Sequence, residues 1–399
     1  MKFLRSKFVI ILVAITFLLF LTNDFGIIDI ERTAIIVALG IDYDEASAKY
    51  NVSAQIAIPQ ETKQTTDGHD TLVSGKGATI GEAMDDIGVT TGWYPMLSFC
   101  NLVLLGKNAI NGDVMDIINY FVRTDKIEDS AIIAGCEEKA IDVLSSKTPL
   151  DTISSFAIAK ILSKDIAKLE RIADSNVKDF SKGYYGKSES SYMPLIKRIE
   201  VKNGSAKEND GKQQDKDKEN DKKYVFDATE TMMFVKGRFV GTLTSDETLF
   251  FNFKYKDSID TFLELNDVEY EGEKTSVLLS INEKKKDYKL IIENGIPVYH
   301  IDIKLLCQIE DTDNGTTVSN LISTANVPEN ILKTTEEKIK STIESMFKKI
   351  KDLNCDLFNL KETLYKYHYD KYRRLNDDFL KNVVIKTDVK CEAEMGMRL

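Results

Sequence analysis

Twenty-two consecutive residues in the middle of the chain, Lys202 to Lys223 (KNGSAKENDGKQQDKDKENDKK), cannot enter any core. Ala206 is their only apolar side chain, and positive and negative charges nearly balance among them. A segment of this composition buries too little surface to offset the entropy of ordering it, so it is expected as a disordered, solvated linker. It divides the chain into two folding halves, 25–201 and 224–399. Each is long enough to build its own hydrophobic core.

A second constraint sits at the start. Lys2, Arg5 and Lys7 lead into an unbroken apolar run, Phe8 to Leu21 (FVIILVAITFLLFL), which stops at Asn23-Asp24. Basic flank, apolar run and polar chain, in that order, mark a signal anchor or a secretory signal. As a helix the run reaches about 21 Å, and Phe3, Leu4 and snorkelling basic residues bring it near the ~30 Å hydrocarbon core. No Ala-x-Ala-like cleavage site follows, and the first cysteine is Cys100, so lipidation is not expected. Residues 1–24 are therefore read as an uncleaved anchor with an ectodomain outside; a cleaved signal peptide is the alternative. The net charge of −11 argues against nucleic acid and against lying flat on anionic lipid.

Hydrophobic patterning predicts α+β architecture: a membrane anchor followed by a mixed α/β ectodomain. Before the linker, strands are expected at Thr33–Asp42, Tyr50–Ile58, Asp70–Lys76, Leu97–Leu105, Ser130–Gly135 and Tyr192–Val201. Helices are expected at Thr79–Val89, Asn111–Val122, Glu137–Leu144 and within Thr152–Ile172. Strands alternating with helices suggest a sheet with helices packed on it. After the linker, strands are expected at Asp227–Val235, Arg238–Leu243, Ser276–Asn282, Tyr288–Glu293 and Val298–Ile309. A long amphipathic helix from Pro328, a second helix over Leu357–Leu375 and a last strand over Asn382–Glu394 complete the chain.

Catalytic patterns are scarce. His69, His300 and His368 have no second ligand at metal spacing, and His300 reads as a satisfied strand histidine. Gly75, Gly77 and Gly81 miss the dinucleotide spacing by one residue. Asp311, Asp313 and Gly315 lack the sixth-position glycine and twelfth-position carboxylate of a calcium loop. Asp42 and Asp44 read as turn carboxylates at a strand end. The five cysteines, Cys100, Cys136, Cys307, Cys355 and Cys391, read as buried hydrophobes rather than a disulfide framework. No catalytic, cofactor-binding or metal-ligating residue is therefore assigned, and no cofactor is expected.

The order of several segments resembles one family. Ile30-Glu31-Arg32 followed by AIIVALGIDYD and YNVSAQIAIP is similar to the opening of the spore germinant-receptor C-subunits, the Ger(x)C proteins. GKGATIGEAMDDI, LSFCNLVLLGKNAI and the stretch GDVMDIINYFVRTDKIEDSAIIAGCEEKAIDVL follow in that family's order. Beyond the linker, TETMMFVKGRFVGTLTSDETLFFNF, with Phe234, Gly241 and Leu243, and then Cys355-Asp356-Leu357-Phe358, resemble later blocks. The chain departs from the pattern in three places. Leu21-Thr22-Asn23 stands where most such proteins carry a lipidated cysteine, Asn359-Leu360 replaces glycines, and Tyr372 replaces a tryptophan.

The resemblance implies three mixed α/β structural domains in a non-catalytic subunit on the outer face of the inner spore membrane. It implies partnership with multi-spanning receptor subunits of the A and B types. The complex, rather than this chain, would bind a small nutrient germinant. An anchored extracytoplasmic hydrolase and a stand-alone envelope-binding module are the competing readings. Leu97–Gly106 and Tyr365–Tyr372 are the expected contact surfaces.

Overall fold

The structure is a computed structural model that describes residues 10–17, 33–57, 70–124, 127–151, 153–163, 170–201, 222–270, 272–313, 327–374 and 379–394. Residues 10–17 form a helix (α1) whose apolar side chains are exposed. Among the described residues no helix is long and apolar enough to cross a membrane. The rest of the expected anchor, and residues 202–221 of the charged segment, lie outside the described residues.

A nine-stranded sheet comes first. The chain enters it as a hairpin, β1 (Thr33–Asp44) and β2 (Lys49–Ala57), followed by β3 (Asp70–Gly77). Next come α2 (Ile80–Thr91), β4 (Tyr94–Met96), β5 (Leu102–Leu105), α3 (Lys107–Ile110) and α4 (Val114–Thr124). β6 (Ile132–Cys136), α5 (Ala140–Leu144), α6 (Ser154–Leu162), α7 (Val177–Tyr185) and β7 (Ser190–Glu200) follow. The sheet is completed by β8 (Tyr224–Val235) and β9 (Arg238–Leu243), in the order β3-β2-β1-β5-β6-β7-β8-β9, with β4 added on β1. β1, β5, β6 and β7 are parallel and carry the helical crossovers, while hairpins build both flanks. Apolar side chains of α2, α4 and α7 cover one face, and those of α5 and α6 cover the other.

The charged segment joins β7 to β8, which are antiparallel neighbours from Ser190↔Val235 to Glu200↔Tyr224. Composition marks a boundary there, yet the sheet runs across it. Backbone hydrogen bonding between two strands is indifferent to the length of a loop at their far end, because closure entropy grows only slowly with loop length.

The second layer begins with α8 (Ser245–Tyr255) and continues through β10 (Asp260–Tyr270), β11 (Glu273–Glu293) and β12 (Ile296–Thr312). Helices α9 (Glu329–Asp352), α10 (Leu360–Tyr367), α11 (Tyr369–Tyr372) and α12 (Phe379–Asn382) lead to β13 (Val384–Ala393), which lies parallel to β12. Ile331, Thr335, Ile339, Ile343, Met346 and Ile350 form the buried stripe of α9, as the spacing predicts. Pro328 sits at the N-cap rather than inside the first turn.

Several expectations are corrected. The two strands expected at Ser276–Asn282 and Tyr288–Glu293 are one 21-residue strand, because the polar stretch between them still pairs with β12 around a bulge at Glu283/Lys285. The expected helix Leu357–Leu375 is broken at His368, whose φ of −141° and ψ of 54° cannot continue a helix. Helices α7 and α8 and strand β10 were not expected. Helix α8 is buried nearly all round, Glu247 to Phe253 inclusive, so it has no polar stripe for periodicity to detect. Its signature is instead the capping box Thr244-x-x-Glu247, in which Glu247 N–H donates to Thr244 Oγ1 at 3.3 Å and Thr244 N–H to Glu247 Oε2 at 2.9 Å.

Candidate functional site

Two positions, among the described residues, join parts of the fold that are far apart in the chain. The first is Asp42, at the end of β1. Its Oδ1 accepts from Ala140 N–H at 2.8 Å and its Oδ2 from Ile141 N–H at 3.2 Å, so it caps α5 across 98 residues of sequence. Burial pushes its carboxyl up, and the two N–H groups act against that. Gly106 is required beside it, since a Cβ there would lie 1.9 Å from Asp42 Oδ1. Asp44, by contrast, only closes the following turn, accepting from Ser47 Oγ at 2.6 Å and Ala46 N–H at 3.1 Å.

The second position is the tetrapeptide Cys355-Asp356-Leu357-Phe358, between α9 and α10. Between them its residues bind several separate parts of the molecule. Cys355 Sγ donates to Phe234 O on β8 at 3.7 Å. The buried Asp356 carboxylate accepts from Ser188 Oγ (2.6 Å), Leu360 N–H (2.9 Å) and Lys361 N–H (2.8 Å), and Asp356 N–H donates to Ser190 Oγ (2.9 Å). Leu357 O accepts from Tyr255 Oη at 2.5 Å, and Phe358 O accepts from Lys254 Nζ. The Phe358 ring lies 4.5 Å from Phe347 and 5.8 Å from Phe251, centroid to centroid. One short loop thus ties the nine-stranded sheet, α8, α9 and α10 together. Asn359 follows it at φ 54°, a left-handed conformation that asparagine tolerates better than other non-glycine residues. The departure from glycine at this place therefore keeps the required backbone, and Leu360 is simply a buried first residue of α10.

A cleft of about 960 Å³ opens beside this loop, bounded by α7, the start of β7, the end of α8 and α10. Lys254 stands in its wall, with Nζ 5.2 Å from the Tyr255 ring centroid, 5.1 Å from Phe358 and 5.7 Å from Tyr299. Burial lowers its ammonium to about 8, with the Asp356 charge opposing the shift. A desolvated cation placed on aromatic faces and bonded to a carbonyl works as a brace. Glu170, also in the wall, is buried, and its carboxyl is pushed up by that burial. Sequence reasoning found the Cys-Asp-Leu-Phe block but not Lys254, Tyr255, Ser188 or Ser190, which lie far from it in the chain.

Other sequence-level candidates are placed as follows. His300 Nε2 lies 2.9 Å from Glu293 Oε1 on the β11–β12 hairpin, a satisfied strand position. Asp311 accepts locally from Thr312 N–H at 2.8 Å, and His69 and Gly315 fall outside the described residues. No cluster of three metal-binding side chains occurs among the described residues. All five cysteines are buried and free, and burial pushes the Cys100 and Cys355 thiols up to about 12.

The two expected contact surfaces fare differently. Leu102–Leu105 is a fully buried central strand, so Leu97–Gly106 offers the surface little beyond Ser98, Phe99 and Asn101. Tyr365, Tyr367 and Tyr369 are exposed, at 40%, 76% and 53%. Tyr365 packs edge-on against Tyr369 (5.7 Å) and Tyr372 (5.1 Å), and Lys187 Nζ caps the Tyr365 ring at 4.9 Å. Tyr372 also packs on the core of the second layer.

Comparison with known proteins supplies the family. Residues 26–198 match the model of the spore germination protein N-terminal domain, and residues 229–398 match that of the spore germination B3/GerAC-like C-terminal domain. Spore germination protein B3 of Bacillus subtilis (strain 168) is 22% identical over 393 residues, covering 93% of each chain. Spore germination protein KC of the same organism is 21% identical over 387 residues, covering 93% of this chain and 90% of the relative. The crystal structure of the GerBC protein aligns with a TM-score of 0.49 and 17% identity, over 89% of this chain and 96% of that one. With both family models matched in order on either side of the charged segment, the chain belongs to the Ger(x)C-type spore germination proteins, the germinant-receptor C-subunit family.

Proposed function

We propose that this protein is a membrane-tethered, non-catalytic subunit of a spore germinant receptor, acting in nutrient-triggered germination through contacts with multi-spanning A- and B-type partner subunits. The observation that carries this reading is the match of both halves to spore germination domains, with curated germination proteins alignable over nearly the full length. Residues 1–24 are the tether, with the remainder on the outer face of the spore inner membrane. The described ionisable groups with displaced titration support a structural use. Lys254 braces a loop, Asp42 caps a helix, and the displaced thiols are buried. The exposed ridge Tyr365, Tyr367 and Tyr369, beside Arg373 and Arg374, has the tyrosine- and arginine-rich composition of a protein contact. It is the partner surface in this reading, and the germinant is bound by the complex.

The test is purification of tagged full-length protein from sporulating cells in mild detergent, with mass-spectrometric identification. Co-recovery of multi-spanning germination subunits is expected. Recovery of the protein alone, from membranes shown to contain those subunits, would overturn the proposal.

A further inference from the structure

Among the described residues, the end of the nine-stranded sheet at which β1 begins carries a group of exposed apolar side chains. Strand β4 pairs with the first residues of β1, Thr33↔Tyr94 to Ile35↔Met96, and so sets Trp93 and Tyr94 beside the point where the chain enters the sheet. Phe99 lies on the turn between β4 and β5, where Asn101 N–H donates to Val37 O. Val89 is in the last turns of α2, next to Gly88, which itself lies against the Trp93 carbonyl and Pro95. Val122 is near the end of α4, which brings the chain back to the start of β6. Val89 is 83% exposed, Phe99 59%, Trp93 48%, Val122 45% and Tyr94 44%. An aliphatic and aromatic group of this kind on one edge marks an interaction surface.

The chain itself says what covers it. The apolar run ends at Leu21 and β1 starts at Thr33. Fully extended, the residues between span at most about 40 Å, so this edge is confined near whatever surface holds the run. Tryptophan and tyrosine flanked by aliphatic side chains suit the headgroup level of a bilayer, where one end of the ring is wet and the other apolar. Glu128 and Asp129 border the edge, so the attraction is apolar and needs no anionic lipid.

We propose that Val89, Trp93, Tyr94, Phe99 and Val122 rest in the lipid headgroup region, fixing the ectodomain with the β1-entry edge of its sheet against the bilayer. This rests on the tether reading above, and the experiment separates the two. Trp93 is the only tryptophan in the chain, so its emission reports on the patch without any substitution. Full-length protein is reconstituted into phosphatidylcholine vesicles and floated on a density gradient. The floated fraction is then examined with lipids brominated high on the acyl chain and, separately, with aqueous iodide. Expected are flotation, quenching by the brominated lipid, and several-fold weaker iodide quenching than in the urea-unfolded chain. Phe99→Ser, at an exposed position outside the core, should weaken the bromolipid quenching while leaving flotation intact. Protein that floats with Trp93 open to iodide and untouched by bromolipid overturns the patch proposal and leaves the tether standing. Shielding from iodide without bromolipid quenching means that protein, such as a second copy, covers the patch, and also overturns it. Failure to float removes the tether and the proposal together.

Discussion

Replacing Asp356 by alanine should loosen the junction more than any other single polar substitution there. The carboxylate is 1% exposed and accepts three hydrogen bonds, from Ser188 Oγ, Leu360 N–H and Lys361 N–H. Hydrogen bonds to a charged acceptor contribute about 1.5–3 kcal/mol each, and buried donors left unpaired cost about 1–3 kcal/mol. The two N–H groups belong to the first turn of α10, so their loss is the loss of a helix cap, ordinarily ~1 kcal/mol. Removing the carboxylate also removes the cost of keeping a charge buried, which offsets part of the sum. The net for Asp356→Ala is then about 3 kcal/mol. Asp356→Asn keeps one carbonyl oxygen and should lose about 1–1.5 kcal/mol, as should Ser188→Ala. Urea unfolding of the full-length protein in detergent, followed by circular dichroism, measures all three. Because the two residues share one bond, the double variant with Ser188→Ala should cost less than the sum of the singles. An Asp356→Ala loss below about 1 kcal/mol, or strict additivity with Ser188→Ala, would refute the view of this loop as the hub.

Three further outcomes follow from the same structure. Lys254 has a folded value of about 8 against 10.5, so between these values the unfolded chain holds a proton the folded chain has shed. The Lys254 contribution to stability should therefore rise with pH across that window, by up to about 3 kcal/mol. It acts against the loss imposed by the raised Cys100, Cys136 and Cys355 thiols, so Lys254→Met should show the less positive pH slope; equal pH slopes for the two proteins would contradict the assignment. Gly106→Ala places a Cβ 1.9 Å from Asp42 Oδ1. It should cost about 2–4 kcal/mol in chemical denaturation, through overpacking and loss of the α5 cap. Tyr367→Ala combined with Tyr369→Ala should change stability by under about 0.5 kcal/mol yet reduce co-purification of partner subunits several-fold; unchanged recovery would move the partner surface elsewhere.

The sequence alone determined what could be written as local pattern. The β1–β2 hairpin, the α2 and α9 helices and the burial of all five cysteines are legible there, because periodicity and composition are properties of neighbours in the chain. The family, too, was legible, since it rests on the order of blocks. What only the tertiary structure decided are the features joined across distance. Asp42 was readable as a turn carboxylate but caps a helix 98 residues away. The charged segment looked like a boundary between halves, whereas β7 and β8 pair across it. Helix α8 was hidden because a helix buried on every side has no amphipathic stripe. Leu97–Gly106 reads in sequence both as a strand and as a contact surface, and pairing of Leu102–Leu105 between β1 and β6 keeps only the strand. Lys254 meets Phe358 across 104 residues; nothing in FNFKY announces that its lysine will be desolvated. Burial, and the charge or hydrogen bond that compensates it, depends on which distant elements arrive, and this is settled only when the chain packs.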